Sequence, residues 1–215
     1  MLALISLSFT LYMIPGLWGA PIKLLSGIAP PSSYSEWIRT DENNGPSSTG
    51  VAAVSTKPHK YHELFDSPHG LDCYFDYDEA LAAARAQKKP LMLDFTGHSC
   101  SNCRKMEDNV WSAPEVLPKL KNDYILVSLY VDDKTDLSAD EVFTNKDGKT
   151  IKTIGAKWKD LEAAKYDANS QPYYVLLDNS ENKIGEYGNY DPDVSKFVTF
   201  LNGGESKFKT TASLK

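Results

Sequence analysis

The sequence predicts an α/β domain behind an N-terminal membrane helix, and three observations point there. No charged residue occurs from Met1 to Ile22. Further on, apolar runs at Leu91–Thr96, Tyr124–Val131 and Tyr173–Leu177 alternate with stretches of helical pattern, as in a layered α/β fold. The run at Leu91–Thr96 leads within four residues to Cys100-Ser101-Asn102-Cys103. A C-x-x-C between a buried strand and a helix is the signature of a thiol–disulfide exchange site.

A chain of 215 residues with 41% hydrophobic content suffices for one domain with a full core plus appendages, but hardly for two large domains. A net charge of −6 and scattered lysines exclude a basic nucleic-acid surface. Three cysteines are too few for a disulfide framework, so redox or metal chemistry explains the pair better than stapling. Cys73, the third, reads as a small buried hydrophobe in a short strand.

Residues 1–22 read as a transmembrane helix, close to the roughly 20 apolar residues a bilayer requires. A secretory signal peptide competes, with Gly19-Ala20 as a cleavage site, but there is no Lys or Arg before the apolar run and Pro15-Gly16 interrupts it. Either reading places the rest of the chain outside the cytoplasm. Lys23, after the helix, does not fix orientation. Residues 23–69 read as a membrane-proximal segment and tether, because Ala29–Pro58 is dense in Pro, Gly, Ser and Asn. His59, His62 and His69, without acidic or cysteine partners at ligand spacing, read as a polar loop rather than a metal site.

Residues 70–215 form the expected domain. Leu71–Phe75 is a short strand, and Asp76 with Glu79 makes a capping-box-like start to a helix over Tyr77–Gln87. The buried strand Leu91–Thr96 follows, then the cysteine helix, with Ser99 placed to cap it. Pro114 fits the first turn of a further helix through Lys121. Tyr124–Val131 is apolar at nearly every position, as in a strand covered on both faces. Residues 132–156 are polar, and Asp147-Gly148 signals a hairpin within an insertion. Next come a helix over Lys157–Asp167, strands over Tyr173–Leu177 and Lys183–Tyr187, and a last helix over Asp193–Leu201. That helix has Asp191 as cap, Pro192 in its first turn and Gly203 as its stop. The expected order is β-α-β-α-β-α-β-β-α.

That order, with the C-x-x-C opening a helix, Asp94 six residues before Cys100 and Gln171-Pro172 before the penultimate strand, resembles the thioredoxin fold, a central mixed sheet flanked by helices. The blocks Leu93-Asp94-Phe95-Thr96-Gly97, Cys103-Arg104-Lys105-Met106-Glu107, Tyr130-Val131-Asp132-Asp133-Lys134-Thr135 and Ser170-Gln171-Pro172-Tyr173-Tyr174 are similar to the carboxy-terminal part, with its last membrane helix, of Bacteroidetes-like DsbD-type thiol:disulfide interchange proteins. The resemblance implies a protein-disulfide reductase in a bacterial inner membrane with its domain facing the periplasm. A transmembrane domain would donate electrons and oxidised extracytoplasmic proteins would receive them. It also implies a cis Gln171–Pro172 bond facing the disulfide, with Gln171 and Pro172 as the substrate-binding pair. Ser99 departs from the tryptophan of thioredoxins, and Ser101-Asn102 is neither the Gly-Pro of strong reductants nor the Pro-His of a strong oxidant. Because the further parts of a DsbD-type protein are absent, Met1 is expected to mark a truncated or mis-started frame.

Within this reading Cys100 is the nucleophile, since helix N-terminal N–H groups favour a thiolate. Cys103, one turn in, resolves the mixed disulfide. Asp94, an acid in an apolar strand, is a proton acceptor for Cys103. Glu107 is either a second acid that raises the thiol pKa values, as the resemblance implies, or part of a solvated helix face. His98 sits on the surface, and Trp111, Trp158, Tyr173 and Tyr174 belong to the core. No cofactor beyond the Cys100–Cys103 pair is expected. The rival readings are an independent membrane-anchored thioredoxin for cytochrome c maturation, and a non-catalytic module binding metal through Cys100, Cys103 and His98.

Overall fold

The computed structural model describes residues 2–14 and 59–213, which fall in two separate units, 1–58 and 59–215. In the first, α1 spans Leu2–Met13 and rises about 18 Å, less than the ~30 Å of a bilayer core. No helix among the described residues is long and apolar enough to cross a membrane, and residues 15–22 of the expected span lie outside them.

The second unit is built on a five-stranded sheet of order β1-β3-β2-β6-β7, with β1 at Cys73–Tyr74, β2 at Leu91–Thr96, β3 at Ile125–Tyr130, β6 at Tyr173–Leu177 and β7 at Lys183–Gly188. Strands β1 and β2 run parallel to β3, whereas β6 runs antiparallel to β2 and β7 to β6. Every residue of β2, β3 and β6 is buried, which accounts for their unbroken apolar runs. Between β3 and β6 a small antiparallel pair, β4 (Phe143–Thr144) and β5 (Thr150–Ile151), turns through Gly148 at φ +78°.

Helix α2 covers Tyr77–Gln87, and the Asp76 carboxylate accepts from the N–H groups of Asp78 and Glu79. The reciprocal half of a capping box is not made; Glu79 instead accepts from the Lys60 N–H at 2.9 Å. That contact belongs to a segment assigned from sequence to the tether. The folded unit begins at His59, not near residue 70: Phe65 is buried and stacks on Tyr130 at 4.5 Å. Burying that ring is worth a few kcal/mol, and the contacts of His59 with Asp72 and of Lys60 with Glu79 and Glu141 add to it.

Three helix boundaries also differ from expectation. Pro114 lies in a turn, and α4 spans Leu117–Asn122 with Pro118 in its first turn. Helix α5 starts at Ile154, capped by Thr153, whose hydroxyl accepts from the Ala156 N–H, and ends at Tyr166. Helix α6 runs from Val194 to Ser213 without stopping at Gly203. Its first turn is bound by Asp193, whose carboxylate accepts from the Lys196 N–H, rather than by Asp191. The helix continues because Gly204 lets it approach β6 closely: a Cβ there would collide with Leu176 Cδ1. Tertiary contact overrides the glycine's preference to end a helix.

Candidate active site

Strand β2 alternates its side chains, so Leu91, Leu93 and Phe95 face one side of the sheet while Asp94 and Thr96 face the other. On β3, Ser128 and Tyr130 stand opposite Asp94 and Thr96 in register. These four residues make a polar strip within a buried sheet. Ser128 Oγ donates to Asp94 Oδ2 at 3.1 Å.

Helix α3, Ser101–Met106, carries Cys103 and Arg104, and a π-helical turn over Glu107–Trp111 continues it. Arg104 links the helix to the strip. Its Nη2 donates to Thr96 Oγ1 at 3.0 Å and lies 2.8 Å from Glu107 Oε1. The π turn sends the Glu107 carbonyl to the Ser112 N–H at 3.2 Å, and the same carbonyl lies 2.8 Å from His69 Nε2. Such turns occur often at functional sites.

Glu107 is only 7% exposed, so the solvated-face alternative does not hold. Burial pushes its carboxyl up to about 8, with Arg104 opposing and the charges of Asp94 and Asp108 assisting. Burial likewise pushes Asp94 up to about 7 against the pull of Arg104 and Ser128. One guanidinium thus serves two buried acids, which together bind a proton near neutral pH.

Cys100 and Cys103 form a disulfide with a Cα–Cα distance of 5.3 Å. Cys103 is 1% exposed and Cys100 is half-buried, which leaves the first sulfur as the reachable one. Cys100, not Ser99, is the N-cap of α3; its Sγ accepts from the Cys103 N–H at 3.1 Å. Ser99 is otherwise engaged, because its N–H and that of His98 donate to the two oxygens of Asp132 at 2.9 and 2.8 Å. Gly97 is needed for this closeness, since a Cβ there would lie 3.0 Å from the same carboxylate. The His98 ring lies 3.0 Å from Asp133 and packs on Tyr130.

The Gln171–Pro172 bond is cis, and Gln171 stands across an open cleft of about 390 Å³ from Cys100. Gly97, Ser99, Ser101, Asn102, Val131 and Asp132 complete its walls. Gln171 is held by a residue on α5: its Nε2 donates to Glu162 Oε2 at 2.8 Å, and the Ser170 N–H donates to Glu162 Oε1 at 3.1 Å. Trp111, Trp158, Tyr173 and Tyr174 are buried. Cys73 is a buried free thiol, pushed up to about 12 by burial.

The structure therefore brings Cys100 and Gln171 to one cleft, with Cys103 buried behind Cys100 in the disulfide, and sets Asp94 and Glu107 around Arg104. Sequence reasoning missed Arg104, Asp132 and Glu162. Only Asp132 had a usable signal, an acid directly after a buried strand and opposite the C-x-x-C turn in the expected topology. Among the described residues no group of three or more His, Cys, Asp or Glu side chains is gathered to hold a metal.

No curated protein matches the chain. Among solved structures it is similar to a thioredoxin from Thermus thermophilus, at 22% identity over 61% of this chain and 85% of that one, TM-score 0.45. A DsbH oxidoreductase is similar at 22% identity over 72% and 95%, TM-score 0.45. The C-terminal domain of Neisseria meningitidis DsbD in its oxidised form is similar at 13% identity over 62% and 99%, TM-score 0.43. The family described as thioredoxin-like matches residues 72–179, which is half of the chain, and on that match the chain belongs to the thioredoxin-like family.

Proposed function

We propose that the protein is a thiol–disulfide oxidoreductase that reduces disulfides of extracytoplasmic proteins and is itself recharged by a transmembrane DsbD-type partner. The observation that carries the chemistry is the asymmetric Cys100–Cys103 pair, one sulfur reachable and the other buried, at the head of a helix beside an open cleft.

In the reduced protein the Cys100 thiolate attacks one sulfur of a substrate disulfide. That bond breaks, a mixed disulfide forms and the departing substrate thiolate takes a proton. Cys103 then loses its proton and attacks Cys100 Sγ, closing the Cys100–Cys103 disulfide and releasing the second substrate thiolate, which takes a proton from water. Two electrons pass to the substrate, and a dithiol on the membrane partner returns them by the reverse exchange. The Cys103 N–H, aimed at Cys100 Sγ, stabilises negative charge there. Asp94 receives the Cys103 proton, for which a carboxyl held near 7 is well matched. Glu107, which ionises only as pH rises through about 8, then adds a negative charge that raises the cost of a second one and restrains premature attack. The Gln171 backbone at the cleft wall is available to pair with an extended substrate segment.

The membrane assignment rests on the uncharged segment Met1–Ile22 and on the likeness to the end of DsbD-type proteins. The reduced protein is expected to reduce insulin and to carry no stoichiometric metal; stoichiometric metal without reductase activity overturns the proposal. In cells, the protein is expected in the membrane fraction with Cys100 open to an impermeant thiol reagent from outside. Labelling only after lysis overturns the assigned orientation.

A further inference from the structure

Glu162 is fully buried on α5, yet nothing in α5 requires a carboxylate there. The helix closes without it: the Asp167 N–H donates to the Ala163 carbonyl, and the Ala168 N–H to the backbone carbonyl of Glu162. Burying a carboxylate costs several kcal/mol unless its oxygens are bonded. Both oxygens are committed, and both to the same short loop, one to the Ser170 N–H and the other to the Gln171 side chain. Gln171 of that loop lines the same cleft as Cys100.

We propose that Glu162 is a positioning residue for polypeptide substrates: it fixes the Ser170–Gln171 segment so that a substrate chain can lie along it beside Cys100. The inference rests on the oxidoreductase reading and deepens it. A small disulfide needs only the Cys100 sulfur and does not use the wall, whereas a polypeptide disulfide needs both. Glu162 therefore separates the two classes of substrate. It touches no reacting atom, so its removal leaves the thiol chemistry intact.

The test compares reduced wild-type protein, Glu162→Ala and Glu162→Gln on oxidised insulin and on hydroxyethyl disulfide. Glu162→Ala is expected to raise KM for insulin about tenfold with kcat little changed. Turnover of hydroxyethyl disulfide should stay within about twofold of wild type. Glu162→Gln is expected to bring the insulin KM back to within about threefold, since its amide oxygen still accepts from Ser170 and its amide N–H can donate to a flipped Gln171. If Glu162→Ala does not fold, Glu162→Met, which fills a similar volume without an acceptor for Ser170 or Gln171, is expected to raise the insulin KM about tenfold and to leave hydroxyethyl disulfide turnover within about twofold of wild type. Equal losses on both substrates, or no change on either, overturn the positioning role and leave the oxidoreductase reading standing. A wild-type protein that reduces neither substrate overturns both.

Discussion

Replacing Glu107 with Gln removes a buried titrating group while keeping its shape and its acceptor for Arg104. The Glu107 carboxyl moves from an ordinary 4.5 to about 8 because burial disfavours the charged form, with Arg104 pulling the other way. The unfolded chain gives up this proton near 4.5 and the folded chain near 8, so between those values the folded state holds the extra proton. Its contribution is fully present below about 4.5 and is lost as pH rises through 8. In that window the Glu107 proton lowers the unfolding free energy by about 1.4 kcal/mol per pH unit, or about 2–3 kcal/mol from about pH 5.5 to about pH 7.5. Urea unfolding of the disulfide form, followed by the fluorescence of buried Trp111 and Trp158, measures it. Glu107→Gln is expected to flatten the slope by about 1.4 kcal/mol per unit, leaving the part that belongs to Asp94. Equal slopes in both proteins would mean that Glu107 is ionised throughout, and the reasoning from burial would fail.

Other perturbations read other parts of the structure. Asp132→Ala frees the N–H groups of His98 and Ser99, and is expected to cost about 1–3 kcal/mol and to slow exchange at Cys100, measured by urea unfolding and insulin reduction. Cys73→Ser should leave insulin reduction unchanged, and Cys73 should react with iodoacetamide only on unfolding, because the thiol is buried and held well above its ordinary pKa. Gly204→Ala places a methyl against Leu176 and the Tyr124 hydroxyl, and is expected to cost about 1–3 kcal/mol in a thermal melt despite the better helix propensity of alanine.

What could be seen in the sequence was what local pattern determines. The central strands declared themselves because a strand buried on both faces must be apolar throughout, and α2 because Asp76 caps it directly. The cysteine pair, Asp94 and Gln171–Pro172 stood at spacings that a known fold makes meaningful. What stayed hidden depends on contacts between distant segments. Phe65 follows a polar stretch and looks like tether until Tyr130 is there to stack on it. Gly203 reads as a helix stop until β6 packs against the helix at Gly204. Glu162 sits among charged and small residues in a weakly amphipathic helix, and only the return of the loop at 168–171 encloses it. Arg104 follows Cys103 as any solvated cation could, and its role comes from two acids, one on β2 and one a turn along its own helix. A buried polar network is satisfied only once separate elements have packed together, so local periodicity does not report it.

The proposed chemistry stands on one division of labour: Cys100 attacks substrate disulfides and Cys103 resolves the product. Trapping separates the two roles, with Cys103→Ser and Cys100→Ser proteins expressed in cells and resolved on non-reducing gels after acid quenching. Cys103→Ser is expected to accumulate mixed disulfides with other proteins through Cys100, and Cys100→Ser to accumulate none. Mixed disulfides in the Cys100→Ser protein alone, or in neither, would contradict this division.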